Sequence, residues 1–258
     1  MYRIYQRHLL LNDDIHLEPE IEPQLSEFRK SKSWFYRRIK KWDTSESSFY
    51  YVIQDQVMTM ESMKSKIRTK LRKSLSNVEF SPSNLEDILF EGFHLYEQMP
   101  TFGDSSATPE KFRDYLTSRV GRIDYHVGRR SLDRKIVCFA GVVVSKESVD
   151  LSFFRYDREE RISPVYGMLY YLNNYYIAER GFKYINDGFK SYLHGANFQK
   201  KLIKEFNYRK CFVEIEIYSK YPLGLIRLLI KIFRSNEKLK ALGFYLEDYA
   251  NEQRKSTC

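Results

Sequence analysis

A chain of 258 residues with 43 Lys plus Arg against 34 Asp plus Glu carries a formal charge of +9, and 16% of it is aromatic (21 Tyr, 18 Phe, 2 Trp). That aromatic share can fill a sizeable core, so the composition excludes a wholly disordered chain, and 11 Gly with 7 Pro exclude a collagen-like or low-complexity one. No apolar run reaches the ~18 residues of a membrane span, and the opening MYRIYQRHLLLNDD lacks the apolar stretch and cleavage site of a signal peptide, so the expectation is one large domain, or a domain with an extension, soluble or peripheral to a membrane.

Along the chain, residues 12–30 open acidic, carry two prolines and read as a loop or short helix. SWFYRRIKKW (33–42) is aromatic and basic. SSFYYVIQD (47–55) reads as a short apolar strand. TMESMKSKIRTKLRKSL (59–75) predicts a helix, with Met60, Met63, Ile67 and Leu71 on one apolar stripe. Six of the ten positions from Lys64 to Lys73 are basic and none is acidic. At ~100° per residue Lys64, Arg68 and Arg72 form one line beside the stripe. These three can hold phosphates, or they can be a solvated face.

Next come a strand at 77–83, a helix opened by a Ser/Asn cap with Leu85, Ile88, Leu89, Phe93 and Tyr96 inward, and a helix at 108–120 started by Thr108 and Pro109. Strands follow at 122–130, 135–145 and 148–157, the last two a hairpin over a Lys-Glu turn. SPVYGMLYYLNNYYIAER (163–180) predicts a long aromatic helix capped by Ser163, with Pro164 at its first position and Gly181 past its end. A strand at 182–189, a helix at 197–207, a strand at 208–219 and an apolar helix at 222–234 complete the order, and the polar tail after Asn236 is expected to fray. Cys138 reads as core.

From residue 77 the order is β–α–α–β–β–β–α–β–α–β, an α+β sheet with helices on both faces. Two segments carry a family likeness. One is the basic helix SKIRTKLRKSL (65–75); the other is YINDGFKSYLHGANFQKKLIKEFNYRK (184–210), with its Asp-Gly, Ser, His, Asn-x-Gln and a hydrophobic helix ending in Phe206-Asn207-Tyr208-Arg209. In these the chain resembles the GNAT acyltransferase superfamily over roughly 77–219, closest to the Fem-type peptidoglycan aminoacyl transferases and relatives from bacterial surface-polysaccharide loci. The usual Gly of the ending is Asn207, which tolerates a left-handed turn. The resemblance implies a GNAT-like, mixed, largely antiparallel sheet with an N-terminal extension: residues 1–76 packed on a core of 77–219, then 220–258.

The resemblance further implies acyl or aminoacyl transfer to an amine, on a cell-envelope saccharide or its precursor, with acyl-CoA or aminoacyl-tRNA as donor. Asp187 at a strand end would take a proton from the amine, or it is simply an Asp-Gly turn. His194 is a second candidate base, or a loop histidine. Ser191, Asn197, Gln199 and Tyr166 are candidate substrate contacts, although Asn197 reads as a helix cap and the tyrosines from Tyr166 to Tyr176 as packing. Glu214 and Glu216 share a face of the last strand, as an acid/base pair or an exposed sheet face. The DREERISPVYG loop (157–167) offers Arg158 and Arg161 to a phosphate but lacks the paired glycines of acetyl-CoA users, and Pro164 has no N–H. Weak acetyl-CoA binding is therefore expected.

Two further readings stay open: an acetyl-CoA-dependent N-acetyltransferase, and a non-catalytic module binding nucleic acid or an anionic membrane. The excess positive charge predicts an anionic partner, tRNA among them. Residues 222–234, with Arg227, Lys231 and Arg234 on one face, would pack on the core or lie in a membrane interface. Three separated cysteines (Cys138, Cys211, Cys258), scattered histidines and no C-x-x-C or H-x-x-x-H argue against a structural zinc site and for a cytoplasmic location, at the membrane's inner face if the apolar helix docks there. No G-x-S-x-G or P-loop motif occurs, which sets aside serine-hydrolase and P-loop chemistry.

Overall fold

A computed structural model describes residues 2–5, 8–11, 14–20, 25–98, 107–118, 121–192, 196–222 and 237–255. His194 and all but the first residue of the 222–234 segment lie outside the described residues. The chain divides into two compact units: residues 53–187 with 204–208, and residues 1–52, 188–203 and 209–258. The strands are β1 (Tyr2–Tyr5), β2 (His8–Leu11), β3 (Phe35–Thr44), β4 (Tyr50–Gln54), β5 (Val78–Ser83), β6 (Arg122–Arg130), β7 (Ile136–Val144), β8 (Ser148–Tyr156), β9 (Tyr184–Phe189) and β10 (Arg209–Ser219). The helices are α1 (Leu25–Lys30), α2 (Ser65–Asn77), α3 (Leu85–Glu91), α4 (Phe93–Gln98), α5 (Pro109–Thr117), α6 (Pro164–Asn173), α7 (Ala196–Glu205) and α8 (Glu237–Lys255), with a 3-10 turn at Ile15–Glu20.

The first-named unit holds the strand order β9-β8-β7-β6-β5. β5 through β8 run antiparallel to their neighbours and β9 runs parallel to β8. Successive side chains on a strand face opposite ways, and both faces are apolar here. Val127 and Phe139, paired across β6 and β7, face a cluster of Ile88, Leu95, Tyr96, Phe112 and Leu116 from α3, α4 and α5. Their neighbours Gly128 and Cys138 face Phe80 and α6. Gly167 of α6 lies so close to the Phe80 ring and Ser74 Oγ that an added Cβ would collide with both, which brings α6 down onto β5 and α2. The α+β, GNAT-like sheet expected from the sequence is present, and the hairpin 136–156 pairs with β9 as expected.

Local signals explain the helix starts. Asn84 accepts the Asp87 N–H at 2.8 Å and Thr108 the Lys111 N–H at 3.3 Å, the cap bonds expected of these residues. Four helix expectations in this unit need correction. The basic helix begins at Ser65, not residue 59, because 59–64 turn before it. The helix after Asn84 breaks at Gly92 into α3 and α4. Ser163 makes no cap bond; it sits at φ 56° in the left-handed region with its side chain unused for capping. Beyond Asn173 the long aromatic helix widens into a π-helical turn, Asn174–Glu179, with the Arg180 N–H bonding five residues back to Tyr175 at 3.2 Å.

The other unit holds β1-β2-β3-β10 and the start of β4. β3 and β10 pair antiparallel from Thr44/Phe212 to Phe35/Ser219. The tail after Asn236 is not frayed: α8 buries Tyr245 and Leu246, and the Tyr245 ring meets those of Phe49 and Phe189 at 5.6 and 6.1 Å. Its polar composition hides those two anchors. No described helix is long and apolar enough to cross a membrane.

Candidate active site

The parallel ladder of β8 and β9 is three pairs long: Ser148–Tyr184, Val149–Ile185 and Asp150–Asn186. At the last pair Asn186, buried, donates its side-chain amide to Asp150 Oδ1 at 2.7 Å. Immediately beyond it, a register shift between Gly141 and Val142 of β7 inserts Ser152 as a bulge in β8, and bulges bend and twist the strand that carries them. β8 runs on to Tyr156 with no further β9 residue paired to it.

Asp187 is the first β9 residue past the ladder, half-buried, and Gly188 behind it takes φ +107°, a backbone turn that glycine alone adopts without strain. Tyr208, which follows α7, is buried at 3% exposure. Burial first, and the Asp187 charge second, hold its hydroxyl protonated well above the ordinary tyrosine range. Asn207 before it is left-handed at φ 57°, as its place in the Phe-Asn-Tyr-Arg ending suggested. A carboxylate at a strand end is a candidate to take a proton from an ammonium.

Tyr166 is buried in α6. It donates to Glu205 Oε2 at 2.7 Å and accepts from Lys70 Nζ at 2.9 Å, with its ring against Phe206 at 5.1 Å. Lys70 thus joins α2 to α6 and to the Glu205–Tyr208 segment. The rest of the α2 charge faces out. Lys64 and Arg72 are exposed, Arg68 is half-buried, and none of these three forms an ion pair among the described residues. Arg158 and Arg161 are exposed in the β8–α6 loop. Within that loop the Glu159 N–H is taken by Asp157 at 3.0 Å and the Tyr166 N–H by the Ser163 carbonyl at 3.1 Å.

Ser191, Asn197 and Gln199 belong to the other unit. Gln199, 6% exposed, clasps the chain after β9: its Oε1 accepts the Ser191 N–H at 3.0 Å and its Nε2 donates to the Phe189 carbonyl at 3.1 Å. Asn197 is exposed in the first turn of α7, which begins at Ala196, so the capping position expected of it falls earlier. Glu214 is bridged by Lys41 at 2.9 Å and Glu216 accepts from the Tyr218 hydroxyl at 2.7 Å, so each carboxylate has its own partner. Cys138 is buried as expected.

Two buried charged networks gave no sequence signal. His126, fully buried on β6, lies 2.7 Å from the Tyr176 hydroxyl and 3.2 Å from that of Tyr171. Tyr176 also donates to Asp124 at 3.3 Å, and Arg180 bridges Asp124 at 3.0 Å. Burial is the main reason the imidazole pKa falls to about 4. In the other unit Arg37, inside the basic run of β3, donates to Tyr51 at 2.9 Å and stacks 4.0 Å over the Phe189 ring. Near it, burial lifts Glu18 to about 7 against the pull of Arg37.

No family model matches the chain, and no curated protein matches it. Solved structures do. The chain is similar to FemX with a TM-score of 0.52 at 10% identity, over 79% of this chain and 76% of that one. It is also similar to L-PGS from Bacillus licheniformis (0.48, 13% identity, 70% of this chain) and to the ribosomal-protein-S18-alanine N-acetyltransferase from Escherichia coli (0.34, 13% identity, 55% of this chain and 93% of that one). The chain spans 65% of the length of the L-PGS structure. The likeness to FemX is one of fold, and it is the fold expected from the Asp-Gly and Phe-Asn-Tyr-Arg segments.

Proposed function

We propose that the chain is an acyl or aminoacyl transferase that acts on an amine acceptor where β8 and β9 part. The observation that carries this reading is the three-pair ladder, with Asp187 standing where the strands part. Asp187 takes the ammonium proton, and the freed amine attacks the donor's ester or thioester carbonyl. The carbonyl carbon forms its bond to nitrogen as its bond to the donor oxygen or sulfur breaks. Such chemistry needs positioning and a base more than a dense motif. His194 remains a second candidate base in this reading.

The donor we favour is an aminoacyl-tRNA, its phosphates on Lys64, Arg68 and Arg72, with Arg158 and Arg161 as further contacts. The β8–α6 loop supports this choice: Pro164 has no N–H and the N–H groups of Glu159 and Tyr166 are bonded within the loop, which leaves a poor cradle for a pyrophosphate. The acceptor would be a cell-envelope saccharide or its precursor. If that acceptor is lipid-linked, the cationic apolar segment 222–234 would hold the protein at the cytoplasmic membrane face.

The test is transfer of a radiolabelled aminoacyl group from a mixed charged-tRNA pool, against labelled acetyl-CoA, onto amino-sugar acceptors. Label moving from tRNA supports the reading. Tight, stoichiometric calorimetric binding of acetyl-CoA would replace it with an N-acetyltransferase, and transfer from neither donor would leave a non-catalytic binding module.

A further inference from the structure

Helix α3 gives one side to the core and shows a large apolar ring on the other. Ile88 is fully buried in the cluster that holds Phe112 and Leu116 of α5. Phe90 follows two residues later, ~200° around the helix, and is 91% exposed. Among the described residues only Leu132 is a large apolar side chain as exposed as this one. A single exposed apolar residue is ordinary. Phe90 does not stand alone: it borders an open groove of about 640 Å³ at α3, α4 and α5, whose apolar lining is Leu89, Phe93, Pro109 and Phe112. The Phe93 and Phe112 rings meet at 5.7 Å, so the aromatic packing of the core reaches the surface in this groove. All these residues belong to one unit of the chain.

The rim of the groove carries both signs of charge. Glu110, Arg113 and Asp114, exposed on α5, line it as well. None of the three is in an ion pair among the described residues.

We propose that this patch is the face by which two copies of the chain pair about a twofold axis, with Phe90 of each copy entering the groove of the other. A twofold interface has to be complementary to itself. The patch is so in shape, with an aromatic knob beside an aromatic-floored groove. It is also so in charge: Arg113 of one copy can meet Glu110 and Asp114 of the second, and the axis repeats the pairing. A rim of one sign would repel a second copy and suit a partner of opposite charge. A central aromatic anchor within a polar rim is the anatomy of a specific protein contact. The inference is independent of the transferase reading.

The test is sedimentation velocity of the full chain from micromolar to sub-millimolar concentration. A species of twice the 31.1 kDa monomer mass should grow with concentration. Phe90→Glu and Phe90→Ser, at an exposed position, should keep the circular dichroism spectrum and the thermal midpoint of the dilute protein and weaken association by about tenfold or more. Arg113→Glu and the double variant Glu110→Arg/Asp114→Arg each set like charges across the axis and should associate more weakly than the wild type. Mixed in equal amounts, the two should recover a heterodimer, because each then offers the other the opposite sign at both contacts. A wild type that stays monomeric at every concentration assigns the patch to some other protein and overturns the proposal. A dimer that both Phe90 variants leave intact does the same, as does a mixture of the charge variants that associates no better than either alone.

Discussion

Asn186 holds Asp150 across the final rung of the β8–β9 ladder, amide to carboxylate at 2.7 Å. The bond stands at the point where two strands stop pairing, and it links the meander β6–β8 to the strand that presents Asp187. Hydrogen bonds to charged groups contribute about 1.5–3 kcal/mol. Asn186→Ala and Asp150→Ala should each destabilise by about that amount in urea denaturation, and the double variant should lose about the same as either single one. Fully additive losses would show that the two side chains do not depend on each other.

Asp187 is open to a direct kinetic check. Once a transfer assay exists, Asp187→Asn should lower the rate by about 10²-fold or more with an unaltered circular dichroism spectrum, and Tyr208→Phe should lower it less. A fully active Asp187→Asn would return the residue to its turn role beside Gly188.

The outward cations of α2 make a salt-dependent claim. Three phosphate contacts give a slope of log K against log salt of about −2 to −3. In filter binding of tRNA, replacing Lys64, Arg68 and Arg72 together with Gln should flatten the slope by that much, while Lys70→Gln should disturb Tyr166 and Glu205 more than the slope. An unchanged slope in the triple variant would place the nucleic acid elsewhere.

His126 and Glu18 pull the acid stability in opposite directions. The folded pKa of His126, about 4, lies below the ordinary imidazole value of 6.5. In that window the unfolded chain binds the extra proton, so the contribution of His126 is complete above 6.5 and is lost as pH falls toward 4, by roughly 3 kcal/mol. Glu18 is raised from 4.5 to about 7; there the folded chain binds the extra proton, so its contribution is complete below 4.5 and is lost as pH rises through 7. Chemical denaturation from pH 4 to 8 should therefore show a shallow profile for the wild type and a steep loss of stability toward acid for Glu18→Gln. Parallel profiles would mean that Glu18 ionises normally.

Much of the fold was legible because its signals are local. The ends of β6, β7 and β8 are marked by alternation and short polar turns, Asn84 and Thr108 announce their helices, and Asn207 marked its own left-handed turn. β3 was hidden, since FYRRIKKWDT mixes buried Phe35, Tyr36 and Ile39 with charges, and nothing in the run tells that Arg37 turns inward while Lys40 and Lys41 do not. α8 was missed for a related reason: two buried anchors in a polar helix make a weak stripe. Asp187 could be singled out from its Asp-Gly step.

The π-helical turn after α6 sets the direction of two side chains. A wide turn is an ordinary helix with one residue too many, and each residue of an α-helix rotates its successors by ~100°. Removing residue 174 or 175 would let the segment wind as a plain α-helix and swing Tyr176 and Arg180 a quarter-turn or more away from His126 and Asp124. The surplus residue is thus what aims the tyrosine at the imidazole and the guanidinium at Asp124, so the width of one turn fixes a buried network on a strand fifty residues away.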